Sequence, residues 1–190
     1  MPDFDIGPVL SYLGRPESEV GIVGPVKGFS PQIGVLVSMM AFIRLQVLNS
    51  LKGLSVRELD FLLDRNANTI GATLLHLAAT ETYYQLNTFE GMGWDSWSEP
   101  IKKQWDVPMN LGEAARETIK GNSIDYYLNV LQNVREKTLA EFRKRDDDWL
   151  AIVDKGWGWN NYAKWFHVAE HESNHNGQFK FLKSRFYQEH

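Results

Sequence analysis

Residues 160–187 read NNYAKWFHVAEHESNHNGQFKFLKSRFY. The run has no proline, and its single glycine is Gly177. Val168, His171, His175, Phe179, Leu182 and Phe186 recur at spacings of three and four. At about 100° per residue they fall in one stripe roughly 80° wide. The pattern predicts a helix starting at Asn160 or Asn161 and running to about residue 187. It places His171 and His175 where core residues are expected, and His167 at the stripe's edge.

The same periodicity predicts three other long helices. Ser30-Pro31 is a start signal, a capping hydroxyl followed by proline at the first helical position. Leu36, Met40, Ile43 and Val47 then follow at helical spacing, giving a helix over 31–51 that Gly53 ends. Ser55 and Glu58 form a capping box, so a short helix is expected over 56–63. Asn66 to Thr69 offer caps for a helix over 69–88. That helix is apolar around most of its circumference and so must be buried by neighbours. A further helix is expected over 123–145, with Tyr127, Leu131, Val134 and Thr138 on one stripe.

Between these lie less regular stretches. Residues 89–122 carry Gly91, Gly93, Pro100, Pro108, Gly112 and Gly121, together with Trp94, Trp97 and Trp105. Only a short helix from Asn110 to about 120 is expected there. A connector of this length is often functional, and its tryptophans read first as anchors. Asp146-Asp147-Asp148 and Gly156 to Gly158 mark another connector. Residues 1–30 are dense in glycine and proline, which predicts an irregular arm, with a short strand at Val20 to Val26. The expected architecture is all-α: an irregular arm over 1–30, then a four-helix bundle over 31–190.

Composition narrows the function classes. The chain has 190 residues, 43% apolar and 23% charged, which is ordinary globular composition for one domain. Its net charge is −4 and its pI about 5.7. The densest basic run, Arg143-Lys144-Arg145, is followed directly by three aspartates, so a nucleic-acid footprint is not expected. There is no cysteine, which excludes disulfides, thiolate nucleophiles and cysteine-held metals. The apolar run Ile33 to Ile43 is too short to span a bilayer. The first residues lack the basic region of a signal peptide. A cytoplasmic protein is expected.

The chemistry lies in the histidines. Two imidazoles four residues apart on a helix are neighbours about 5–6 Å apart at Cβ. Burying both without partners is costly, and one metal ion would satisfy them together. A third ligand should come from another helix. His76 shares its strip with Thr69, Thr73, Thr80 and Tyr83, the polar side of its helix. On pattern alone that side faces either a polar cavity or solvent. His190, near the chain end, reads as solvated. Glu81, Glu170 and Glu172 are available as an alternative ligand or as partners that orient an imidazole.

These residues also carry a resemblance. Asn68-Thr69-Ile70-Gly71 leading to Leu75-His76-Leu77-Ala78, with Glu81, resembles the second helix of the DinB-like metal-binding family. His167-Val168-Ala169-Glu170-His171-Glu172 and His175-Asn176-Gly177-Gln178 resemble that family's fourth helix. Leu54-Ser55 through Glu58-Leu59 resembles its link between the first two helices. The resemblance covers residues 31–187. It departs at Asn176, where the family commonly carries arginine, and the arm over 1–30 has no counterpart in it.

The resemblance implies an antiparallel four-helix bundle, often a homodimer, with one divalent metal ion per chain on His76, His171 and His175. Zinc or nickel is the expected ion, with iron a third choice. A three-histidine site leaves a tetrahedral ion one open position. That position could take water for hydrolysis or a small-molecule thiol. The resemblance implies a low-molecular-weight-thiol S-transferase, the open position allows a metal-dependent hydrolase equally, and in either Glu81 and Glu172 are candidate catalytic groups. The rival reading is a non-catalytic, stress-related metal- or ligand-binding protein.

Overall fold

The computed structural model describes residues 6–186. Every regular element among them is helical, and the one β feature is an isolated antiparallel bridge between Val153 and Asn160. The nine α-helices of the described residues are α1 (Gly7–Leu13), α2 (Pro31–Leu51), α3 (Val56–Leu59), α4 (Ile70–Glu90), α5 (Glu99–Asn110), α6 (Gly112–Thr118), α7 (Ile124–Phe142), α8 (Asp147–Ala151) and α9 (Asn161–Lys183). Four of them are long: α2, α4, α7 and α9. The chain divides into two compact units, Met1–Lys52 with Glu136–Ser173, and Gly53–Arg135 with Asn174–His190.

In the first unit the arm is more regular than its breakers suggested. Pro8 sits in the first turn of α1, where its missing N–H costs nothing, and Gly14 closes the helix at φ 62°. No strand forms at Val20 to Val26. That segment is tied instead by the Arg15 guanidinium, which donates to the carbonyls of Ile22, Gly24 and Pro25. Its end lies so close to α2 that a Cβ on Gly34 would stand 2.6 Å from the Val26 nitrogen. Trp165, fully buried, meets Phe142 edge-on at 4.7 Å.

Helix α2 has the expected bounds, but its cap is not the expected one. Ser30 accepts no helix N–H. Its hydroxyl donates to Asp147, whose Oδ1 also accepts from the N–H groups of Gln32 (3.0 Å) and Ile33 (3.3 Å). A carboxylate at this end also suits the helix dipole. As a whole, α2 is long and apolar enough to cross a membrane, which the run Ile33 to Ile43 alone had not suggested. Of that stretch, 67% is buried, and Arg44 within it is ion-paired, so it reads as a core helix.

In the second unit Thr69 caps α4 by accepting from Ala72 N–H at 3.0 Å, and Gly91 ends the helix at φ 69°. Gly71 is required by its neighbour: a Cβ there would meet the Tyr127 hydroxyl at 2.5 Å. The Ser55–Glu58 capping box forms, but its helix α3 stops at Leu59. The connector holds more helix than expected. Besides α6, it contains the whole of α5, which packs on α4. Pro100 lies in the first turn of α5 and Pro108 near its last residue.

Candidate metal centre

His76 is the seventh of the 21 residues of α4. Thr73 and Thr80, one turn to either side, are buried. The polar side of α4 therefore faces protein, which resolves the choice that pattern had left open. The His76 Nδ1 lies 3.0 Å from the Pro108 carbonyl oxygen. A carbonyl only accepts, so Nδ1 carries the ring proton and Nε2 carries the lone pair.

His175 stands opposite, with ring centroids 5.3 Å apart and planes at 82°. Its Nδ1 is 2.9 Å from Gln178 Oε1, an acceptor that favours the same tautomer. His171 lies one turn earlier on α9. One ring nitrogen from each of His76, His171 and His175 falls within 4.8 Å of the other two, and all three side chains are half-buried. His167 is outside this cluster. Its ring lies 5.6 Å from that of His171, and its Nδ1 meets Glu170 at 3.1 Å. His190 lies outside the described residues.

Burial pushes the pKa of His76 below that of a free imidazole. The Pro108 carbonyl, which favours the protonated ring, offsets this in part, and the charge of a protonated His175 would lower it further. Burial likewise lowers His175, against the pull of Gln178. Both rings are thus neutral at neutral pH, the form that binds metal. Imidazoles whose outer nitrogens are committed to oxygen acceptors form a donor set that fits a divalent ion.

The helical wheel of α9 needs a correction. His171 and His175 are half-buried, and the fully buried stripe runs through Trp165, Val168, Glu172, Asn176 and Phe179. Its centre is rotated by about 60° of helix from the expected stripe, and the two share Val168 and Phe179. The displacement puts a carboxylate in the core, and Arg44 of α2 makes that tolerable. Its Nε meets Glu172 Oε1 and its Nη2 lies 3.2 Å from Oε2. Glu81 is held the same way by Arg135 of α7, at 2.8 and 3.1 Å. Both candidate carboxylates are therefore engaged as two-point arginine pairs, each within its own unit.

Sequence reasoning gave no role to Arg44, Arg135 or the Pro108 carbonyl, and quoted Gln178 only within the family's fourth-helix motif. Gln178, three residues after His175, was legible as a neighbour on the same helix face. An arginine inside the most apolar helix was itself a signal that a buried carboxylate must exist. Nothing in the sequence pointed to a backbone carbonyl of α5. The connector's aromatics gather with Tyr83: Trp94 and Trp97 lie 4.4 Å apart, 6.3 and 6.0 Å from the Tyr83 ring. Trp97 and Trp105 are buried, which fits anchoring.

Residues 42–179 match the DinB superfamily. The chain belongs to the DinB superfamily. No curated protein matches the chain. The superfamily match includes His76, His171 and His175 and the whole of α4 to α8, and it begins after the first half of α2.

Proposed function

We propose that His76, His171 and His175 bind one divalent metal ion, zinc or nickel, and that the chain is a metal-dependent enzyme acting on a small molecule. The observation that carries this reading is the convergence of three ring nitrogens within 4.8 Å, two of the rings already oriented by hydrogen bonds at their other nitrogen. Three protein ligands are the pattern of a catalytic site with one position open, where structural sites use four. When bound, the ion would supply Lewis acidity at that position, sufficient to strip the proton from a thiol or acidify water.

Of the two chemistries, thiol S-transfer is favoured. Hydrolysis gains from a carboxylate base, yet Glu81 and Glu172 each commit both oxygens to an arginine. A coordinated thiol needs no such base. In this reading the chain's own residues hold and orient the ligand imidazoles, the two arginine–glutamate pairs brace helices, and the absence of cysteine means that the thiol arrives as a cosubstrate. The reading extends to the family's antiparallel four-helix bundle built from α2, α4, α7 and α9, and to a cytoplasmic homodimer.

Metal analysis of protein purified without a histidine tag or chelator tests the proposal. About one ion per chain is expected, lost in His171→Ala with helical content kept. Metal in neither protein, with no uptake of added zinc or nickel, would refute it. With metal confirmed, turnover with low-molecular-weight thiols and electrophiles separates transferase from hydrolase.

A further inference from the structure

Helix α5 ends in an unusual way. In a continuing helix the Pro108 carbonyl would accept from the N–H four residues on, that of Gly112. The Leu111 N–H keeps its helical bond to Val107 at 3.0 Å. Leu111 itself then adopts φ 55°, ψ −143°, and it is the one non-glycine residue with positive φ among the described residues. Side chains rarely tolerate that region, and strain of this kind gathers at functional sites. The turn carries the Gly112 N–H away from α5 to the Asn68 side chain, Oδ1 at 3.2 Å. Asn68 immediately precedes Thr69, the cap of α4.

The Pro108 carbonyl is thereby released from the helix, and it accepts the His76 Nδ1–H. The neighbouring Met109 carbonyl also faces this ring. The negative end of a 12-residue helix is thus aimed at one imidazole. Trp105 and Pro108, both buried, fix that end of α5. We propose that the Asn68–Leu111–Gly112 turn positions His76: by withdrawing the Gly112 N–H it frees the Pro108 carbonyl to hold the ring as its Nδ1–H tautomer, with Nε2 presented to the metal. The metal half rests on the function proposed above; the tautomer half does not. The competing account is that the turn only terminates α5.

Two-bond ¹⁵N–¹H spectra of histidine-labelled, metal-free protein read the tautomer of each ring. In the wild type His76 and His175 are both expected as Nδ1–H. In Asn68→Ala the His76 ring should lose that single signature while His175, set by Gln178, keeps it. Zinc affinity, measured by chelator competition, should fall about 10- to 100-fold, the usual cost of losing a partner behind a ligand histidine. Asn68→Asp retains the acceptor oxygen and should restore both readouts. Leu111→Gly, which accepts positive φ without strain, should leave the His76 tautomer unchanged. Overturning results are a wild-type His76 carrying its proton on Nε2, an unaltered His76 signature or unaltered zinc affinity in Asn68→Ala, or failure of Asn68→Asp to restore them. Should Asn68→Ala not fold, the wild-type tautomer and Asn68→Asp still decide. A wild type that binds no zinc would sink the metal reading, and the metal-free spectra would still judge the turn.

Discussion

His76 and His175 set how the site responds to pH. Burial lowers both from the free value of 6.5. Protons compete with metal for the same nitrogens, so these two ligands are lost to protons as pH falls through their folded-state values, which lie below 6.5. Zinc affinity should therefore stay level from neutral pH to about 6.5 and decline beneath it; a decline centred above 6.5 would contradict the burial argument. In metal-free protein the unfolded chain takes up protons at 6.5 while the folded rings do not, so stability also falls as pH drops below that value. The same scale holds the clearest misreading of the sequence. Val168 and Phe179 were correctly placed in the core, but the phase between them was set by the histidines and not by Glu172 and Asn176, because a periodicity argument does not admit a buried carboxylate. Arg44, 128 residues away in the chain, pairs with Glu172 in the core. Both side chains are about 4% exposed. Arg44→Met should cost about 3–5 kcal/mol by removing the charge paired with the buried carboxylate, whereas Arg44→Met with Glu172→Leu should recover most of it. Urea unfolding of the single and double variants checks this, and a double variant no better than the single would argue against the pair.

Helices were legible where their punctuation was local. Pro31 and Gly53 frame α2, Thr69 and Gly91 frame α4, and the expected bounds lie at or close to those observed. Helix α5 was missed because Pro100 and Pro108 read as breakers, yet each sits within a turn of an end, where proline is tolerated or the helix is about to stop. The acidic run after Arg145 was read as part of a connector. It is two caps: Asp146 accepts from Trp149 N–H at 2.9 Å to start α8, and Asp147 closes the N-terminus of α2. The second role joins residues more than a hundred positions apart, beyond the reach of any local signal. Asp147→Ala should destabilise by about 0.5–2 kcal/mol, the range for a lost N-cap, and Asp147→Asn, which keeps an acceptor, by less. Asp148, exposed, is the control: Asp148→Ala should change stability by no more than about 0.5 kcal/mol. Equal effects at 147 and 148 in thermal unfolding would remove the capping role.

For the molecule as a whole, the sequence's composition and its four long periodic stretches sufficed to read an all-helical chain, and the superfamily match over residues 42–179 agrees. What they could not supply was the Pro108 carbonyl behind His76, which contributes through its backbone, or the two arginine–glutamate pairs, whose partners are distant in sequence. The proposed ion bears on global stability. A ligand that binds the folded chain and not the unfolded one stabilises it by mass action: at 100 times its dissociation constant the gain is about 2.7 kcal/mol. For a chain of 190 residues each kcal/mol is worth about 2–4 °C in melting temperature, so zinc in that excess should raise Tm by about 5–11 °C. Chelator should reverse the rise, and His171→Ala, with a ligand missing, should show little of it at the same zinc concentration. Thermal scans of the two proteins with and without zinc make the comparison. A wild-type Tm indifferent to metal would mean that the three imidazoles do not converge on an ion in the folded chain, whereas a rise matched in His171→Ala would place the binding at some other group.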